Sequence, residues 1–184
     1  MGRVMAREYR RAAPVGKCFP PRLALWPFAA QGRAMQIRTD DPAAPHVAAL
    51  LAHHLEELAS VMGEHAFALD AGGLSSPEVT FWTAWRGEVL AGFAALKALG
   101  ANDGEVKSMR AAPSARRTGA GRALLDHIVA EARARGYGAL YLETGTADLH
   151  GPAIALYHSA GFVSCGPFAG YEPSPHNQFM MLAL

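Results

Sequence analysis

The sequence predicts a mixed α/β domain, and three observations carry that prediction. Short runs rich in β-branched and aromatic residues alternate with stretches of helical period, without internal repeats or low-complexity linkers. Two of the runs, "VTFWTAWR" and "VLAGFAALKAL", are separated only by Gly87 and Glu88, which is hairpin spacing and implies antiparallel strands. A third run, "GALYLETG", is apolar, bounded by glycines and reached through a long amphipathic stretch, which suits a buried parallel strand entered from a crossover helix. The order of elements is not that of a repeating doubly wound sheet.

Taken in order, "MQIRT" from Met35 reads as the first strand, and "PAAPHVAALLAHHLEELASVMG" as a helix with Val47, Leu50, Leu51, His54, Leu55 and Leu58 at helical spacing and Gly63 as its stop. The Gly- and Ser-rich "LDAGGLSSPE" reads as a loop with a short helical turn. After the hairpin, the turn "GANDG" leads into the strand "EVKSMRAA", which Pro113 and Ser114 end. The helix that follows puts Leu124, Leu125, Ile128, Val129 and Ala132 on one face, which must pack on a sheet. "GPAIALYHSAG" is a shorter helix, with Pro152 in its first turn and Gly161 at its end. Two last strands, "FVSCGPF" and "NQFMMLAL", bracket a loop from Ala169 to Asn177.

The totals narrow the function classes. A chain of 184 residues, half of them apolar, can bury one ordinary core. "LALWPFAA" is too short to span a bilayer and is broken by Pro27. Cys18 and Cys165 are the two cysteines, and the Cys and His positions lack metal-ligand spacing, so neither a disulfide framework nor a metal site is expected and a cytoplasmic setting is. Residues 1–34 carry seven basic residues against one acidic residue, together with four prolines, and read as a poorly ordered extension. Residues 35–184 then form the single domain, with Met35 as an alternative start; an organelle targeting peptide is the second reading of the extension. With the net charge at +1 and the excess confined to that extension, the domain is net acidic, which argues against nucleic acid as a partner.

The most informative stretch is "ARRTGAGRALLDHIVAEARARG". Gly119 and Gly121 fall after a strand and in the first turn of a helix, where backbone amides have no intrahelical partner and the macrodipole is positive. Residues without side chains let a phosphate approach those amides, and Arg116, Arg117 and Arg122 add charge. The same residues also suit a plain strand-to-helix turn with solvated arginines. A Lys-Ser/Thr pair, as in nucleotide-binding phosphate loops, is missing here, and Leu124 occupies the place where a dinucleotide fingerprint needs a small residue.

Arg116 to Gly121 fill the pattern R/Q-x-x-G-x-G/A, and "ALYHSAGF" follows one helix and one strand later. In both respects the chain, from Met35 to Leu184, resembles the GNAT superfamily of acetyl-CoA-dependent N-acetyltransferases. The resemblance implies a mixed, mostly antiparallel sheet with one splayed strand pair and helices on both faces. It also implies acetyl transfer from acetyl-CoA (coenzyme A as the carrier) to a primary amine by direct attack, the acceptor being a small molecule or a peptide. By the same resemblance, Arg116, Arg117, Thr118, Gly119, Ala120, Gly121 and Arg122 would cradle the pyrophosphate. Met109 and Ala111 would lie along the pantetheine arm, and Tyr157 would protonate the departing thiolate. Tyr157 equally fits a core position on its helix. Where many members have asparagine seven residues before that tyrosine, this chain has His150.

An ammonium must lose a proton before it can attack. Glu105 is the first candidate base, although a lone glutamate at a strand start is often just exposed. Glu143, mid-strand in "LYLETG", is the competing carboxylate and must face a cleft or be paired, which makes it a candidate substrate contact. Phe168, Tyr171 and Phe179, on or beside the last loop, are candidates to line the acceptor pocket or to cover a sheet edge. His54 reads as packing, His53 as solvated, and Cys165 as a small buried hydrophobe rather than an acyl carrier. The alternative function is a catalytically silent acyl-CoA-binding sensor. Exposed strand edges of the kind such folds pair across a two-fold axis make a homodimer an open expectation.

Overall fold

Seven strands form one sheet in the order β1-β2-β3-β4-β5-β7-β6. The structure is a computed structural model that describes residues 34–62 and 69–184. Residues 1–33 of the extension expected over residues 1–34, its Arg and Lys positions included, and the stop expected at Gly63 lie outside the described residues. The strands are β1 (Met35–Thr39), β2 (Val79–Arg86), β3 (Val89–Leu99), β4 (Asp103–Ala111), β5 (Ala139–Gly145), β6 (Val163–Ser164) and β7 (Asn177–Ala183). The helices are α1 (Pro45–Met62), α2 (Ala71–Leu74), α3 (Ala120–Ala134) and α4 (Gly151–Ser159).

Alternation along β3 shows how the sheet divides its two faces. Ala94 and Leu96 belong to a cluster with Leu124, Leu125, Ile128 and Ala132 of α3 and Tyr157 of α4. Phe93 and Ala95 point the other way and join Val47 and Leu51 of α1 and Leu74 of α2. Helices therefore cover both faces, as a mixed sheet buried on each side requires. Ile128 is fully buried in the first cluster. Ile128→Val is expected to remove about 0.5–1.5 kcal/mol and to lower Tm by roughly 2–4 °C in a melt followed by circular dichroism.

Two local departures from the expected elements have simple causes. α1 begins at Pro45, three residues after the expected start, because a residue preceding proline is pushed out of helical geometry and Ala44 occupies that place. "FVSCGPF" contributes only Val163 and Ser164 as strand, with one further hydrogen bond from the Cys165 amide to the Phe179 carbonyl (3.0 Å). Gly166 and Pro167 then break the ladder, since proline has no donor to offer it.

Two irregularities of β4 create the site. Every neighbouring pair in the sheet is antiparallel except β4–β5, which is parallel and in register only from Asp103–Ala139 to Glu105–Tyr141. Beyond Glu105 the two strands part. On its other side β4 bulges against β3: Phe93 faces Arg110 and Ala95 faces Lys107, so Ser108 and Met109 together oppose Ala94. Ser108 adopts φ 47°, a left-handed conformation uncommon for a residue with a side chain, as bulged residues do beside functional clefts.

Candidate active site

Between the parting strands lies a cavity of about 100 Å³. Lys107, Ser108 and Met109 of β4 form one wall, Glu143, Thr144 and Gly145 of β5 the other, and His54, Leu58, His150, Ala153 and Tyr157 close it from the helices. The Tyr157 ring is buried and packs on Phe162 at a centroid distance of 5.8 Å. Burial, reinforced by the charge of Glu143, raises the Tyr157 hydroxyl well above its ordinary value, so it holds its proton at neutral pH. Glu143 Oε1 is buried with no hydrogen-bond partner among the described residues. Desolvation pushes the Glu143 carboxyl up to about 7, with Lys107 opposing and Glu105 adding to the shift.

Glu105 occupies a different environment from the exposed strand start that its sequence context allows. It is 1 % exposed, Tyr171 donates to its Oε1 at 2.7 Å, and Lys107 Nζ lies 3.4 Å away. Lys107, 8 % exposed, donates to the Tyr171 hydroxyl at 2.6 Å and sits over that ring at 5.2 Å. A buried carboxylate needs this number of partners. Glu105 therefore lies behind the cavity wall, while Glu143 lines it. Phe168, Tyr171 and Phe179 do not line the cavity. They form an aromatic group with Tyr141, at centroid separations of 5.0 to 6.1 Å, and Tyr171 ties the loop before β7 to β4. Phe168 and Tyr141 also line a second, shallower concavity with Ala98 and Leu99.

The glycine turn is built as an anion cradle would be. Gly119 caps α3 with φ 90°, and a Cβ there would meet nothing within 4 Å, so the space above it is open. Among the described residues, the amides of Gly119, Ala120, Gly121 and Arg122 meet no protein acceptor, the first bond of the helix being Ala123 N–H to the Gly119 carbonyl. Thr118 is different, because its amide (3.3 Å) and hydroxyl (2.7 Å) both donate to the Ala115 carbonyl. Arg86 donates to the Thr118 carbonyl at 2.7 Å and holds the turn to β2. Arg117, at φ 59°, is exposed, whereas Arg122 pairs with Asp126 (2.8 Å) and Arg116 lies 3.5 Å from Glu57. Gly121 packs toward Leu156, the residue before Tyr157, which brings the turn beside the cavity. Met109 lines that cavity and Ala111 continues β4 toward the turn, both beyond the point where β5 departs.

Three features escaped the sequence reading. Lys107 partners Glu105; their spacing of two on one strand was the available signal. His54 and His150 line the cavity from elements far apart in the chain, and no spacing rule connects them. Arg110 donates to Glu57 and to His53 (3.2 Å), a rim cluster that the Arg110 hydrogen bond uses to hold the Glu57 carboxyl below its usual range. Cys165 is half-buried, and burial pushes its thiol up, which does not suit a nucleophile.

A seven-stranded sheet that splays beside a buried tyrosine, with a bare-backboned helix start alongside, defines the acetyltransferase class. The chain belongs to the Acetyltransferase (GNAT) family, whose match covers residues 46–162. It is 44 % identical over 147 residues to the N-acetyltransferase YsnE of Bacillus subtilis, covering 79 % of this chain and 97 % of that one. It is also 44 % identical over 149 residues to the N-acetyltransferase YedL of Escherichia coli, covering 80 % and 94 %. A crystallised Klebsiella pneumoniae chain assigned to the acyl-CoA N-acyltransferases shares the fold with a TM-score of 0.68, at 27 % identity over 82 % of this chain and 97 % of its own. The protein is thus a GNAT acetyltransferase enzyme, and no helix among the described residues is long and apolar enough to cross a membrane.

Proposed function

We propose that the protein transfers the acetyl group of acetyl-CoA to a primary amine by direct attack, with Tyr157 as general acid and Glu143 as general base. The observation that carries this reading is the shared cavity. A tyrosine that keeps its proton and an unpaired carboxylate poised near neutrality line the same small space between parted strands. Acetyl-CoA supplies an acetyl thioester. The residues present fit it: unpaired amides from Gly119 to Arg122 and the exposed Arg117 offer a diphosphate site, and the edges of Met109 and Ala111 face the gap where a pantetheine arm can pair.

Glu143, once ionised, takes one proton from the acceptor ammonium and leaves the nitrogen its lone pair. That nitrogen bonds to the acetyl carbon as the carbon–sulfur bond breaks. Tyr157 gives its proton to the departing sulfur and recovers one from the new amide nitrogen. Glu143 returns its proton to solvent, so one proton is released for each acetyl transferred. The acceptor nitrogen is held within the cavity, so the encounter becomes an oriented attack. The base role moves here from Glu105 to Glu143, because Glu105 is already enclosed by Tyr171 and Lys107; Glu105 serves to hold those two side chains in place.

The test is thiol release from acetyl-CoA over a panel of amines, alongside thermal-shift titration with acetyl-CoA. Amine-dependent release supports the transferase; stabilisation by acetyl-CoA with no release for any amine would instead support the acyl-CoA-binding sensor. Gly119→Val tests the cradle. A β-branched residue at φ 90° costs about 1–2 kcal/mol or shifts the turn, so the Kd for acetyl-CoA is expected to rise about tenfold or more. Unchanged affinity in that variant would overturn the assignment of the turn.

A further inference from the structure

The cavity holds more unpaired hydrogen-bonding groups than acid and base chemistry uses. His54 is 6 % exposed, packs edge-on to Phe93 at 5.7 Å, and has neither ring nitrogen bonded among the described residues. His150 Nε2 is likewise buried without a partner, as are Ser108 Oγ and Glu143 Oε1, and all four residues line the one cavity. His150 reaches it because of Gly145: a Cβ on that glycine would lie 2.4 Å from His150 Nε2, so any side chain there would displace the ring. Buried polar groups left unpaired by the protein are costly and mark a place that a ligand must satisfy.

We propose that His54 and His150 are acceptor-binding residues that, with Glu143, form a three-point site for a primary ammonium whose own carbon bears no carboxylate. This deepens the transferase reading and rests on it. Burial, helped by the charge of Arg110, pulls the His54 ring down to about 4, and burial also lowers His150. Both imidazoles are then neutral at physiological pH, and each presents one lone pair. Two imidazole lone pairs and one carboxylate oxygen match the three N–H donors of an alkylammonium. A hydroxyl has one donor and would leave two of them unsatisfied. A carboxylate beside the nitrogen would be drawn into contact with Glu143, while Lys107, the cation in the wall, is already engaged by Glu105 and Tyr171.

The charged and titratable groups around the site come from every element packed on it. Glu57 and His53 stand on α1, Arg110, Lys107 and Glu105 on β4, Tyr157 on α4, and Tyr171 on the loop before β7. Glu57 works to raise both imidazoles, but it is paired with Arg110 and burial outweighs it, so both rings stay below their usual range.

The experiment pairs steady-state kinetics with calorimetry of n-butylamine, 1,5-diaminopentane and glycine on the coenzyme A-saturated protein. His150→Ala and His54→Leu are expected to raise the KM and Kd for the two alkylamines by about tenfold each, with the KM for acetyl-CoA within about twofold of wild type. His54→Gln, which keeps a lone pair at that place, is expected to recover most of the loss. His54 lies in packing contact with Phe93, so His150→Ala carries the test where the leucine variant fails to fold. Alkylamine binding that depends on these histidines without thiol release would support the ammonium site and defeat the transferase reading. Glycine binding as tightly as n-butylamine, or alkylamine KM and Kd unchanged in His150→Ala, would overturn the proposal.

Discussion

Tyr157→Phe is expected to lower kcat by about 10²- to 10⁴-fold while leaving the Kd for acetyl-CoA within about twofold. The expectation follows from where the hydroxyl sits. The ring lies in the apolar cluster with Phe162 and Leu124, and phenylalanine preserves all of that packing. What the substitution removes is one proton donor facing the gap between β4 and β5. Burial and the neighbouring Glu143 hold that proton on oxygen far above neutral pH, so it is present on every turnover. It leaves only as negative charge develops on the departing sulfur of coenzyme A beside it. The loss therefore falls on kcat, and a donor thioester with a more acidic thiol as leaving group would mask more of it. A variant that turns over at the wild-type rate would show that the thiolate departs unprotonated and that Tyr157 is only part of the core.

The order of elements and the layering were legible because each rests on local chemistry. The short runs rich in β-branched, aromatic and other apolar residues became β2, β3, β5 and β7, and the 3.6-period stripe of Leu124, Leu125, Ile128 and Ala132 became the buried face of α3. The glycine turn was legible for the same reason, since Gly119 at positive φ is a backbone requirement written at one position. What the sequence hid depends on contacts between distant segments. Whether Glu105 was exposed could not be read from β4 alone, because its partner Tyr171 arrives 66 positions later on a loop. His54 reads as packing by period, and it does pack, against Phe93. That its nitrogens also open onto a cavity is set by the divergence of β4 and β5, which no local pattern encodes. Ser108 is the same kind of case: a bulge is a property of the β3–β4 pairing and not of Ser108 by itself.

Glu143→Gln is expected to have the second large effect, a drop of about 10²-fold or more in kcat/KM at pH 8 together with loss of the inflection near pH 7 in the pH profile. In the wild type, desolvation raises the carboxyl to about 7, so the base form is scarce at pH 6 and predominant at pH 8. kcat/KM should climb through that interval and then level, since His54 and His150, both shifted downward, have already lost their protons below it. The glutamine variant cannot take the proton at any pH, and its residual rate should follow only the small fraction of acceptor amine that is already neutral. The same shift has an opposite consequence for stability. An acid whose folded pKa is raised stabilises the fold below its unfolded value of 4.5, and that contribution is lost as pH rises through about 7. Glu143→Gln should therefore melt higher than wild type at pH 8 and no higher at pH 4, a variant more stable because it lacks the unpaired charge that chemistry requires. A glutamine variant that keeps the levelling above pH 7 would transfer the base role away from β5, and one that also melts lower at pH 8 would show that Glu143 is paired in solution.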